Sequence, residues 1–160
     1  MVATMHGGFS WILIAILAAA LALAAARDWQ SRIIPNWLNG SIALLAIPFW
    51  WSIGLSLWPD IVLQLAVGAT LLGLFSLAFA AGLMGGGDVK MLAALALWLP
   101  PLEMLQLLLI MSAAGGVLTL VMMISHRLAK SANPLEIPYG IAIAFAGFWV
   151  ISERILNQFA

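Results

Sequence analysis

Long apolar runs broken by a few short polar stretches dominate the chain. A bilayer core takes about 20 apolar residues per helix. The runs divide into six candidate spans: 9–26, 36–57, 61–83, 89–99, 102–125 and 138–157. The second contains Pro48. The fourth is too short: at about 1.5 Å per residue it reaches about 16 Å, against a hydrocarbon core of roughly 30 Å. With Trp98 and Pro100 at the far interface, the preceding "GGGDVK" (85–90) has to carry the chain as irregular backbone. Such backbone is tolerated at membrane depth only inside protein or beside a water-filled cavity. The pattern predicts a wet cleft dipping into one leaflet, with Asp88 at its floor.

Composition turns this pattern into a class. Hydrophobic residues make up 65% of the 160 residues and charged residues 8%, where a soluble domain is about half apolar and a quarter charged. The expected fold is an all-α integral membrane protein of six transmembrane helices, forming a single domain over 1–160. Its partner is the lipid bilayer. Net charge is zero, so no polybasic field invites nucleic acid. Cysteine is absent, which removes disulfides, zinc knuckles and thiol nucleophiles. The two histidines, His6 and His126, are too few for a multi-histidine metal site, and no cofactor is implied. No basic residue precedes the first apolar run, which argues against a cleaved secretory signal.

Charge also orients the spans. Arg27 and Arg32, Lys90, and Arg127 and Lys130 fall in the first, third and fifth connectors, while the second and fourth carry no Lys or Arg. The positive-inside rule makes the basic side cytoplasmic, with both termini on the outer, periplasmic side. Trp11, Trp58, Trp98 and Trp149 then fall near the outer ends of spans, and Trp29 and Trp37 bracket an inner connector, as an aromatic belt would. Small residues four apart (Ala69/Gly73, Ala78/Gly82, Ser112/Gly116) read as helix-packing positions.

Four of the six acidic residues need no catalytic account. Asp60 and Glu103 stand at helix starts, where a carboxylate complements the helix dipole. Glu153 beside Arg154 reads as a solvated pair, and Glu136 lies in the longest polar connector. Asp28 and Asp88 differ: one ends the first span and the other begins the fourth, so both reach the same level of the membrane. Each has a plain alternative. Asp88 is a favoured N-cap type, and Asp28 is a snorkelling residue beside Arg27. Together they suit another chemistry. Two carboxylates held close cannot both ionise, so the pair shares a proton. One then takes a proton from water while the other polarises a scissile carbonyl. This requires water and neither metal, cysteine nor histidine.

Three motifs carry a resemblance. "GGGDVK" matches the G-x-G-D signature of intramembrane aspartyl proteases. "DWQSRIIPN" (28–36) resembles the first-aspartate motif of type IV prepilin peptidases, and "IPYG" (137–140) resembles their Pro-aromatic-Gly motif. The resemblance implies an aspartic endopeptidase that removes the cytoplasmic leader from prepilins. Asp28 and Asp88 would be the catalytic pair, and Gly85, Gly86 and Gly87 the motif glycines. Larger members insert a zinc-binding cytoplasmic domain between the first two spans and also methylate the new N-terminus. Here that connector is short and cysteine-free, and nothing identifies a methyl-donor site. The compact form is similar to the peptidase of tight-adherence (Flp-type) pili, with archaeal preflagellin peptidases as the neighbouring alternative.

Other positions stay open between two readings. Lys90 is either a positive-inside anchor or a substrate contact, about 200° round the helix from Asp88. Arg32, four after Asp28, meets it if the first helix continues, although Pro35 disfavours helix just before it. Asn36 reads as the cap of the second span. Pro138, Tyr139 and Gly140 either wall the cleft or simply start a helix. The rival function is a small proton-coupled transporter or channel. It expects ionisable groups through to the far side, whereas the first, third and fifth spans have none in their interiors.

Overall fold

The computed structural model describes residues 7–129 and 137–157. His6, Lys130 and Glu136 lie outside the described residues, which contain six α-helices and no strand. These are α1 (Gly8–Ser31), α2 (Asn36–Ser52), α3 (Val62–Ala80), α4 (Gly86–Leu95), α5 (Pro101–Leu128) and α6 (Tyr139–Leu156). Four stretches are long and apolar enough to cross a bilayer: α1, Leu57–Ala80, α5 and α6. The other two helices, α2 and α4, are too short for that measure, so four of the six expected spans meet it.

Local chemistry sets the helix ends. Arg32 turns left-handed (φ 56°) and its N–H caps α1 on the Asp28 carbonyl, and the residue before Pro35, Ile34, is itself disfavoured in a helix. Pro35, Pro100 and Pro138 are the N-cap residues of α2, α5 and α6. A wide turn, Leu57–Ile61, leads into α3. There Asp60 accepts from the Ser56 N–H (3.3 Å) and hydroxyl (2.9 Å), so this carboxylate is a cap, as read from the sequence. Glu103 lies in the first turn of α5.

The fourth helix departs from expectation in detail. The irregular stretch is Ala81–Gly85, and Gly86 and Gly87 already belong to the first turn of α4. Gly85, not Asp88, is the N-cap residue. With ten residues, α4 is about 15 Å long.

Helices α1, α2, α4 and α6 form a closed ring in which each touches the next. Helix α3 packs on α4 and α5 on α6, outside the ring. Helix α4 is the most enclosed: from Asp88 to Leu95 all but Lys90 and Ala93 are buried. By contrast α3 buries only Gln64, Gly68 and Leu71. The shortest helix is therefore the one most shielded from lipid, as membrane physics demands of interrupted backbone.

Two tryptophans bind α4 to α2. Trp50 Nε1 donates to the Leu97 carbonyl at 2.6 Å, which α4 leaves without a helical partner as it ends. Trp98 Nε1 donates to the Ile42 carbonyl at 2.8 Å, and its ring stacks on Phe49 at 4.8 Å. This corrects the aromatic-belt reading of Trp98, which is 1% exposed; Trp58 and Trp149 remain exposed. Arg154 is corrected too. Rather than pairing with Glu153 in solvent, it is buried, lies 3.8 Å from Glu103 and 5.7 Å over the Phe49 ring. Glu153 accepts from Gln106 instead. The small-residue pairs also read wrongly. Ala69, Gly73, Ser112 and Gly116 are exposed, while the close approaches use Gly68 against Ala93, Gly115 against Tyr139 and Gly147 against Leu21.

Replacing Trp98 by Ala removes a fully buried ring and a hydrogen bond. Unfolding in detergent should show a loss of about 3–5 kcal/mol. Trp51→Ala, at a position 90% exposed, should change stability by under about 0.5 kcal/mol.

Candidate active site

The last turn of α1 carries Asp28 and the first turn of α4 carries Asp88. Helices α1 and α4 occupy opposite corners of the ring, each touching α2 and α6. Both aspartates are buried, at 5% and 7% exposure, yet both line one cleft of about 560 Å³ at the end of the bundle. Ser31, Arg32 and Ile33 form one wall, Gly82, Leu83, Met84 and Gly85 another, and Ile137 and Tyr139 a third. A recess of about 200 Å³ leads inward between the two aspartates, lined by Arg32, Ile33, Ile34 and Gly85 to Gly87. The carboxylates are close enough for the charge of Asp28 to act on Asp88.

Glycines make this approach possible, and each has a defined neighbour. A Cβ on Gly85 would lie 2.9 Å from Asp88 Oδ2. One on Gly140 would lie 2.8 Å from Asp28 Oδ2 and 2.8 Å from Ile34 Cδ1. One on Gly87 would lie 3.1 Å from Ile34 Cβ and 3.3 Å from its carbonyl oxygen. One on Gly86 would lie 3.3 Å from the Phe79 ring. Each aspartate thus rests against a glycine that begins a helix. The Gly85 backbone amide lies near the Asp88 carboxylate, and the Gly140 and Ile141 amides lie near that of Asp28. Asp28 Oδ2 itself has no hydrogen-bond partner among the described residues. An unpaired buried carboxylate oxygen is one that an ordered water or a substrate group can satisfy.

The other residues singled out from the sequence divide. Arg32 lines the cleft and its recess. Because α1 ends at Ser31, its guanidinium lies 3.4 Å from the Asp28 backbone carbonyl and 5.6 Å over Trp29, while its charge still acts on the Asp28 carboxylate. Tyr139 walls the cleft and Gly140 seats Asp28. Pro138 is buried as the cap of α6 and is not among the cleft-lining residues. Lys90 points away from the cleft and donates to Asn36 Oδ1 at 2.7 Å. Among the described residues no three His, Asp or Glu side chains gather as a metal site.

Two residues escaped the sequence reading. Ile34 is the wedge on which Gly87 and Gly140 both close. Asn39, 4% exposed, donates from Nδ2 to the Gly87 carbonyl at 2.9 Å, one residue before Asp88. Its signal was present: an amide three after Asn36, inside an apolar run, on the same face of α2.

The sequence model of the type IV leader peptidase family matches residues 15–120. The chain belongs to this family. The match spans both aspartates and the glycine run. Residues 137–140 lie beyond it, and the peptidase ties them to the site through Gly140. No curated protein and no solved structure matches the chain.

Gly140→Ala should push the Asp28 carboxylate aside and lower leader cleavage roughly 100-fold, the cost of a misplacement of about 1 Å. Gly86→Ala, which meets only the edge of a side-chain ring, should cost far less. Both are measured as precursor shortening at matched enzyme levels.

Proposed function

We propose that this leader peptidase is an aspartic endopeptidase in which Asp28 and Asp88 together activate water to cut the leader from a type IV prepilin. The observation that carries the proposal is the pair itself: two buried carboxylates, from opposite corners of the ring, lining one cleft. Like charges at such a site share a proton. The ionised carboxylate accepts a proton from water as its oxygen attacks the scissile carbonyl carbon. The protonated one donates to the carbonyl oxygen. When the tetrahedral adduct collapses, the C–N bond breaks and the departing amine takes up the transferred proton. The titration belongs to the pair rather than to either residue.

Placement follows from charge. The cleft lies at the end of the bundle that carries Arg32, and Arg27 and Lys90 flank the same connectors. The positive-inside rule puts that end in the cytoplasm, in the inner membrane, with both termini outside. A precursor whose basic leader is cytoplasmic and whose next segment is an apolar helix presents its junction at this level. The connector between α1 and α2 is four residues, 32–35, leaving no room for an inserted domain. This favours the compact, Flp-type peptidase, without a methylation activity. A preflagellin substrate is the neighbouring possibility, which a panel of precursors decides.

A proton-coupled transporter is less well supported. Between the cleft and the Glu103–Arg154 pair at the opposite end, the ring is filled by Leu17, Leu21, Ile42, Leu92, Leu95 and Ile143. That packing offers no relay.

Asp28→Asn and Asp88→Asn should each reduce cleavage of a co-expressed Flp precursor by roughly 10⁴-fold or more, with the variant proteins at normal levels. Shortening of the precursor by either variant would sink the assignment of the pair.

A further inference from the structure

A second concavity, about 560 Å³, lies on the outside of the ring, between α2 and α3 with α4 as its floor. Its lining is sorted along its length. At the end level with the cleft stand Asn36, Asn39 and Lys90, with Leu72 opposite on α3; beyond them the walls are Gly40, Ala43 and Gly68, then Leu65 and Leu97. Gly40 has nothing within 4 Å of where a Cβ would be, and Leu65 and Leu72 are exposed. The groove therefore opens sideways, in the direction of the lipid.

Lys90 gives the groove its charge. It is exposed, and its hydrogen bond goes to the neutral Asn36. An ammonium has three donors, so two remain. The ion pair found among the described residues joins Arg154 and Glu103, at the other end, and among those residues Lys90 has no carboxylate partner. A cation at the head of an apolar trough in a membrane calls for an anion. Basic pockets between transmembrane helices on the cytoplasmic side are a known setting for lipid headgroups.

We propose that this groove binds one phospholipid, with an acyl chain lying along α4 between α2 and α3 and an anionic headgroup on Lys90. The molecule matches the lining in order: charge at the membrane surface, hydrocarbon below. A precursor helix fits less well, because Lys90 and Asp88 lie about 200° apart round α4. A segment in the groove would have α4 between it and the cleft.

Native mass spectrometry of the detergent-solubilised peptidase tests this, titrated with phosphatidylglycerol or phosphatidylcholine of matched acyl chains. The expected result is one phospholipid bound, with phosphatidylglycerol preferred. Lys90→Gln should lower that preference roughly fivefold, the worth of one basic residue at an anionic surface, and Lys90→Arg should keep it. Gly40→Leu fills open space and should lose both lipids while keeping the thermal unfolding midpoint. A photoreactive side chain placed at Gly40 in membranes should capture phospholipid. Equal binding of the two lipids, an unchanged preference in Lys90→Gln, or capture of the precursor or of a second copy of the chain would overturn the proposal.

Discussion

Backbone that stops being helical at membrane depth needs protein around it, because lipid offers no hydrogen bonds. Helix α4 is the place where that requirement organises the molecule. It is too short to cross a bilayer, and its ends leave amide and carbonyl groups that α-helical pairing cannot use. Its neighbours α2 and α6 in the ring, with α3 outside, enclose it. Side chains of α2 tie down both ends of this stretch: Asn39 donates to the Gly87 carbonyl and Trp50 to the Leu97 carbonyl just past α4. The cleft lies at its N-terminal end, where Gly85 and Asp88 line it. The enclosure and the cleft are thus two consequences of one truncated element.

Glycine is what lets four corners of the ring meet at that level. Ile34, at the start of the α2 corner, presses on Gly87 of α4 and on Gly140 of α6. Asp28 rests on Gly140 and Asp88 on Gly85. Each contact is short enough that a methyl group would displace either a carboxylate or the Ile34 wedge. The G-x-G-D spacing therefore has a mechanical meaning: the first glycine seats the carboxylate, the last admits the neighbouring chain. The glycine of the 137–140 motif does for Asp28 what Gly85 does for Asp88.

Legibility of these features in the sequence followed how local their causes are. Helix number, the short fourth element and the placing of Asp28 and Asp88 at one cleft come from run lengths and alternating connectors, so they could be read directly. The helical start at Gly86 could not, because three glycines permit either helix or loop and tertiary packing decides. Trp98 and Arg154 were misread for one reason. Interfacial position was inferred from sequence depth, but whether a side chain at that depth turns outward or into the ring depends on its neighbours across helices. The same holds for Ala69, Gly73, Ser112 and Gly116, whose four-residue spacing is met equally on a lipid-facing surface. Asn39 shows itself along α2 only as a polar residue in an apolar run, and its contact with α4, like those of Ile34 with α4 and α6, is set by packing that the sequence does not display.

The two ends of the bundle are built to opposite rules. At one end, Arg154 joins α6 to α5 through Glu103, to the chain after α4 through the Trp98 carbonyl (3.4 Å), and to α2 through Phe49. Its partners are side chains and carbonyls already in place, so the charge is held in protein. At the other end, the two carboxylates rest on Gly85 and Gly140 and line a cleft. The end joined by Arg154 fixes the helix axes, and the cleft end on the same axes then holds two carboxylates without having to hold the bundle together. This is the condition a carboxylate pair needs. It must be positioned by rigid elements and yet keep unspent hydrogen-bonding capacity for water and a peptide.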